Sequence, residues 1–179
     1  MVLLSPRHGK SFKDNLEYTS KLVRDLSPVE YYKINKLCQS GFGYDFYANE
    51  MDTVILGYHV NAGALMCVCC ISRNSIFYES SGHVSVPYIY NFVIDLRYRE
   101  HKISLHLMNY VKEFISIHYA APAIELHTTV KNARAQLFYE KNGFKSRGSE
   151  FHEGILYIKY VYQYPNSHNY QTTAGETGA

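Results

Sequence analysis

The segment richest in groups able to do chemistry reads Arg97-Tyr98-Arg99-Glu100-His101-Lys102-Ile103-Ser104. It gathers cations where a strand is expected to end and a helix to begin. First-turn amides lack partners within the helix and carry partial positive charge, so the position suits a phosphate or pyrophosphate. Taken alone, the segment reads equally well as a solvated basic turn. A second reactive cluster, Cys67-Val68-Cys69-Cys70, lacks the paired C-x-x-C or matching His spacing of a zinc site. Its flanks, Ala64-Leu65-Met66 and Ile71, predict a buried strand with small apolar thiols. Reduced thiols point to an intracellular protein.

These groups need elements to position them. Residues 29–39 have helical apolar spacing through Val29, Tyr32, Ile34 and Leu37, with a stop at Ser40-Gly41. Runs 53–60 and 64–72, joined by Asn61-Ala62-Gly63, predict a hairpin. A polar loop is expected over 73–85, then a strand over 86–95 with Pro87 near its start. Residues 102–119 read as a helix with a stripe of Ile103, Leu107, Val111, Phe114 and His118, widened by Met108 and Ile115. Ala123–Thr129 reads as a strand, and Asn132–Lys141 as a helix capped by Asn132 and closed by Asn142-Gly143. Two last strands, 144–149 and 154–163, are expected around Glu150–Glu153. Strand 86–95, helix 102–119 and strand 123–129 form a βαβ unit, so the class is α/β with a mixed sheet and one parallel pair.

The chain has 179 residues, enough for one domain with a real core. Hydrophobic residues at 46% and charged residues at 19% exclude disorder for most of it. A net charge of +2 argues against nucleic-acid binding by bulk electrostatics. No apolar run reaches the ~18–20 residues of a membrane span, and Met1–Pro6 is too short for a signal peptide. Cytoplasm is the default location. Residues 1–20 are expected as a polar arm able to dock on a partner protein, 21–163 as the domain, and 164–179 as a disordered tail.

Asn132-Ala133-Arg134-Ala135-Gln136-Leu137-Phe138-Tyr139-Glu140-Lys141-Asn142-Gly143-Phe144 fits N-x-x-A-x-x-[FL]-Y-x-x-x-G-F at every fixed position. This resembles the C-terminal motif of the GCN5-related N-acetyltransferases, or GNAT superfamily. The family's upstream [RQ]-x-x-G-x-[GA] falls on Arg99–Ser104; the downstream motif is highly specific and the upstream one is not. The resemblance spans about residues 30–163 and implies a GNAT fold with a splayed parallel strand pair and flanking helices. It implies acetyl-CoA in the gap, its pantetheine along Phe92, Val93 and Ile94. The pyrophosphate would lie on Arg99, Glu100, His101, Lys102, Ile103 and Ser104. Asn132 would lie near the cofactor, and Tyr139 would protonate the departing thiolate. Lys102 and Ser104 stand where the family has glycine or alanine. Serine changes little, whereas lysine adds a Cβ where phosphate approaches backbone. Its ammonium can still meet phosphate, much as the related N-myristoyltransferases carry a basic residue in this loop.

An amine must lose a proton before attacking a thioester, so a base is needed near the splay. Tyr88 and His127 flank it. Leu126–Asn132, Tyr88–Arg99 and Cys69-Cys70 resemble one branch, the protein N-terminal acetyltransferases acting on Met-starting chains. The resemblance makes His127 a general base working through water and Tyr88 the residue that orients the water. Imidazole suits the role, with an unperturbed pKa of about 6.5. Among nine His and eighteen Tyr, a structural His beside a Tyr is the competing reading. His101 and His152 are expected as exposed loop residues, although His152-Glu153 can also line an acceptor groove.

The branch binds the first substrate residue with aromatic side chains after its first helix, where Phe42 and Tyr44 stand in Gly41-Phe42-Gly43-Tyr44. These read equally as core-edge aromatics. Tyr90 and Phe151 complete the expected acceptor set. The family's Phe-Pro element is missing after the first helix, so selectivity for Met is not implied. No dense acidic cluster suits a polyamine. The expectation is a metal-free acetyltransferase acting in a ternary complex on a protein or peptide α-amine, without nucleic acid or membrane partners. Two alternatives remain: a lysine or small-amine acetyltransferase, and a non-catalytic interaction module that lost its cofactor at Lys102.

Overall fold

The computed structural model describes residues 15–73 and 86–165. Nearly all of the expected tail and of the 73–85 loop, and most of the expected arm, lie outside them; Tyr164, at the start of that tail, donates its backbone N to the Pro122 carbonyl at 3.1 Å. The element order is β1 (Leu16–Leu22), α1 (Pro28–Phe42), β2 (Thr53–His59), β3 (Ala64–Ser72), β4 (Tyr88–Ile94), α2 (Ile103–Tyr119), β5 (Ala123–Thr129), α3 (Ala133–Lys141), β6 (Lys145–His152) and β7 (Ile155–Gln163). The strands form one mixed sheet in the order β1-β2-β3-β4-β5-β7-β6, and β4 and β5 are parallel as the βαβ pattern requires. The described residues form two compact units, 15–70 with 91–107, and 71–73 and 86–90 with 108–165.

In the first unit β1 runs antiparallel to β2, from Leu16↔His59 to Leu22↔Thr53. This strand replaces part of the expected arm. Its mixed sequence, LEYTSKL, has no clean alternation because it is an edge strand with neither face fully buried. Helix α1 begins with a capping box: Glu30 N donates to Ser27 Oγ at 3.3 Å, and Ser27 N donates to Glu30 Oε2 at 2.9 Å. Lys21 Nζ reaches Glu30 Oε1 at 2.6 Å and holds that carboxyl down at about 2. The helix runs past the expected Ser40-Gly41 stop to Gly43, which takes the left-handed conformation at φ 82°. Gly41 serves instead as a close-approach residue, since a Cβ there would lie 2.4 Å from Val93 Cγ2.

Strand β3 is buried as its composition predicts: Cys67, Cys69 and Cys70 are all fully covered and none forms a disulfide. Burial pushes the Cys67 thiol up to about 12 and that of Cys38 up to about 11, so they remain protonated packing groups.

In the second unit β5 pairs with β7 and β7 with β6, all antiparallel. On β5 the alternation is strict: Ile124, Leu126 and Thr128 are buried, while Glu125, His127 and Thr129 share the other face. Over its whole length α2 buries Ile103, Leu107, Met108, Val111 and Ile115. Phe114 and His118 fall off the buried stripe, with ring centroids 4.3 Å apart and planes tilted by 39°. The β6–β7 hairpin turns at Glu153-Gly154, with φ values of 49° and 78°, because a tight hairpin needs left-handed residues at its centre. The expected turn at 150–153 therefore moves, and Glu150 belongs to β6.

Candidate active site

The βαβ unit fixes the register of Tyr88 and His127. The parallel ladder pairs Tyr88 with Glu125 and Ile89 with Leu126, two pairs in strands of seven residues. His127, two residues beyond Glu125, shares its face. The Tyr88 and His127 ring centroids lie 5.5 Å apart with planes tilted by 43°. Tyr90, the next residue on that face of β4, stacks on Tyr88 at 6.1 Å.

Across the next ladder His127 faces Lys159, Thr129 faces Tyr157, and Tyr157 pairs onward with Glu150. Glu150 Oε2 lies 3.7 Å from His127 Nε2. Lys159 Nζ is bound to Glu125 Oε1 at 3.0 Å. The His127 side chain is 1% exposed, and burial, helped by the Lys159 charge, pushes its pKa down to about 4. The imidazole is therefore neutral near pH 7, so its contact with Glu150 is not an ion pair there. The Tyr88 hydroxyl is pushed well above its ordinary range, first by burial and then by Tyr139, Tyr157, Glu125 and Glu150. Those four groups are thus electrostatic neighbours of one phenol.

Tyr139 rises from α3, whose first turn is capped by Asn132: its Oδ1 accepts from Ala135 N at 3.2 Å. The Tyr139 ring is buried among Phe138, Phe144 and Tyr160, with centroids 5.6–5.9 Å away. At the helix's end Lys112 Nζ donates to the Asn142 carbonyl and sits 3.9 Å over the Tyr162 ring, which fixes α2 to the cap of α3. Tyr88, His127 and Tyr139, chosen from sequence, therefore fall in one cluster, and Glu150, Tyr157, Glu125 and Lys159 complete it. Phe151 is 75% exposed and adjoins Glu150 in the regular end of β6, so alternation turns it to the opposite face from His127. The β6 residue facing the imidazole is Glu150. His152 is exposed, as expected.

The first unit carries the basic loop. A 3-10 turn, Leu96–His101, is opened by Asp95, whose carboxylate accepts from Arg97 N at 2.9 Å and from the Arg97 guanidinium at 2.7 Å. Arg97 is thus engaged within the loop, and Arg99 Nε donates to the Ile94 carbonyl at 3.5 Å. Lys102 adopts φ 57°, the left-handed conformation natural to glycine, and its carbonyl accepts from Leu105 N and His106 N. Lys102 thus holds the backbone geometry natural to glycine. Helix α2 then presents the amides of Ile103 and Ser104 at its N-terminus, a cradle whose chemistry fits a pyrophosphate. The Ile103 side chain is fully buried, so only its backbone can serve. His101 is exposed; Val93 and Ile94 are buried and Phe92 partly so. Phe42 and Tyr44, also in this unit, stack at 5.1 Å with planes 12° apart and are both exposed.

One residue here is invisible to pattern reading. Asn91 interrupts β4 at φ 49°, and its side-chain amide donates to the Tyr47 carbonyl at 2.9 Å. Its left-handed backbone falls just after the residues of β4 that pair with β5.

The acetyltransferase (GNAT) domain family matches residues 43–163. The chain belongs to that family. No curated protein sequence matches it. Among solved structures it is similar to the NatC complex bound to Gag peptide and CoA, with TM-score 0.65, 16% identity, and 84% of this chain and 99% of that chain covered. Arabidopsis thaliana NAA60 in complex with a bisubstrate analogue gives TM-score 0.63 at 16% identity, covering 83% and 99%. Escherichia coli ElaA gives 0.59 at 19%, with the same coverage. Identities this low establish a shared fold. Among the described residues no helix is long and apolar enough to cross a membrane.

Proposed function

We propose that this protein transfers an acetyl group from acetyl-CoA to an amine by direct attack in a ternary complex, and that its preferred acceptor is a protein N-terminal α-amine. The observation that carries this reading is the Tyr88–His127 pair, 5.5 Å apart and ringed by ionisable groups on one sheet face. The relatives bound to a Gag peptide and to a bisubstrate analogue support a peptide acceptor. Acetyl-CoA supplies the activated acyl thioester. Phe92, Val93 and Ile94 would align the pantetheine, Arg99 and the 100–104 backbone would hold the pyrophosphate, and Asn132 would border the cofactor. Neutral His127 accepts the acceptor's proton through a water oriented by Tyr88. The amine nitrogen then bonds to the carbonyl carbon, the carbon–sulfur bond breaks, and Tyr139 gives its proton to the thiolate. Tyr90, Phe42 and Tyr44 are the aromatic candidates for the acceptor's first side chain. The glycine-like backbone at Lys102 argues against a cofactor loop that has decayed.

The test is acetyl-CoA turnover on peptides offering a free α-amine, an internal Lys, or both, with products mapped by mass spectrometry. Acetylation at the α-amine is expected. Product only on Lys would move the acceptor class, and silence on every peptide would overturn the enzymatic reading.

A further inference from the structure

An acceptor amine reaches an enzyme near pH 7 mostly as an ammonium, since α-amines titrate at about 7.7–8.0 and lysines at about 10.4. It must first be held as a cation and then deprotonated. A buried imidazole is a reluctant proton acceptor unless an anion adjoins it, because burial penalises its charged form. Two carboxylates neighbour the Tyr88 hydroxyl. Glu125, with a side chain 14% exposed, is neutralised by Lys159 at 3.0 Å. Glu150 is 34% exposed, and among the described residues its one ion-pair contact within 4 Å is with His127. The contact, 3.7 Å, is longer than a hydrogen bond, so the carboxylate keeps its capacity to accept from a ligand.

The charges facing His127 can be summed element by element. Tyr88 on β4, Tyr139 on α3 and Tyr157 on β7 are neutral phenols, Glu125 on β5 cancels Lys159 on β7, and the imidazole is neutral. One negative charge remains, on Glu150 of β6, beside the base nitrogen and partly open to solvent. A site of this kind is complementary to one ammonium rather than to a polycation.

We propose that Glu150 is an acceptor-site residue, whose carboxylate receives the substrate's single ammonium and stabilises the imidazolium as His127 takes the proton. This rests on the acetyl-transfer reading for its second half; ammonium docking can be read without turnover. The proton passes from the amine nitrogen through the water to His127 Nε2, and none is transferred to Glu150.

The experiment uses the full chain saturated with CoA at pH 6.5 and two heptapeptides of one sequence, one with a free α-amine and one Nα-acetylated. Wild type should bind the free amine about tenfold more tightly, the worth of a charge-assisted contact in a partly exposed site. Glu150→Gln should erase that preference while keeping melting temperature and CoA affinity. Glu113→Gln, on the exposed face of α2, should leave it intact. In turnover, Glu150→Gln should raise KM more than it lowers kcat. A preference that survives Glu150→Gln, or is absent from wild type, overturns the proposal even if acetylation proceeds. Loss of CoA affinity or of folding in Glu150→Gln also overturns it, as evidence of a structural role. A free-amine preference abolished by Glu150→Gln in a protein that acetylates nothing would uphold the docking role and refute the acetyl-transfer reading.

Discussion

The loop at the start of α2 and the strand cluster around His127 are built on opposite principles. The loop offers backbone: its conformation is set by Asp95 opening the turn and by Lys102 in a left-handed well, and the groups it would turn to a phosphate are amides. The cluster offers side chains: His127, Tyr88 and Glu150 come from three strands and meet through register. A backbone site tolerates any residue that keeps the dihedral angles, as Lys102 does in its left-handed well. A side-chain site has no such tolerance, since each group supplies a particular proton or charge.

That contrast can be broken in order of expected effect. His127→Ala should lower kcat by about 10²–10⁴-fold, the range for loss of a general base, with acetyl-CoA affinity nearly unchanged. Binding calorimetry beside steady-state kinetics checks this, and lost affinity would recast His127 as structural. Tyr139→Phe, which removes only a hydroxyl, should slow the chemical step by roughly 10²-fold if it protonates the thiolate; an unchanged single-turnover rate refutes the role. Arg99→Ala should weaken acetyl-CoA about tenfold at low salt and less at high salt, because free phosphate charge is screened as ions are added.

Lys102→Gly sharpens the comparison further. Glycine relieves a left-handed lysine, which costs of order 1 kcal/mol, so melting temperature should rise slightly. Acetyl-CoA affinity should fall only a few fold, with a smaller salt dependence, because the amides stay and the ammonium goes. Affinity that appears only in the glycine variant would mean that the natural loop does not bind the cofactor.

A further effect is on stability. His127 is held at about 4 in the folded chain against 6.5 when unfolded, so between those values the unfolded chain binds a proton that the folded chain does not. Stability should therefore be full above pH 6.5 and fall as pH drops toward 4, with a slope of up to about 1.4 kcal/mol per pH unit. Glu30, held at about 2 by Lys21, adds its own loss only below 4.5, so pH 6.5–4.5 isolates the histidine. Denaturant titrations of wild type and His127→Gln should diverge in that window.

Much of this was legible in the sequence. The βαβ unit, β5, the Asn132 cap and the buried thiols followed from period, capping chemistry and composition. Tyr88 and His127 could be paired because short motifs fix their offsets in two adjacent strands. Leu16–Leu22 was missed because an edge strand needs little alternation, and the α1 stop because Gly41 is a packing glycine and Gly43 the cap. Glu150 was hidden by the turn. Its place opposite Tyr157 depends on a left-handed Glu153-Gly154, which is not written in residue types. Asn91 was hidden for a similar reason, since asparagine tolerates but does not demand a positive φ.

The central claim is that binding resides in the loop and chemistry in the strand cluster. Its most direct test is one experiment on two variants, measuring acetyl-CoA Kd and the single-turnover rate at saturation for His127→Ala and Arg99→Ala. The account predicts a crossed result: His127→Ala keeps Kd and loses rate, and Arg99→Ala loses Kd and keeps rate. Parallel losses in both quantities for both variants would contradict it.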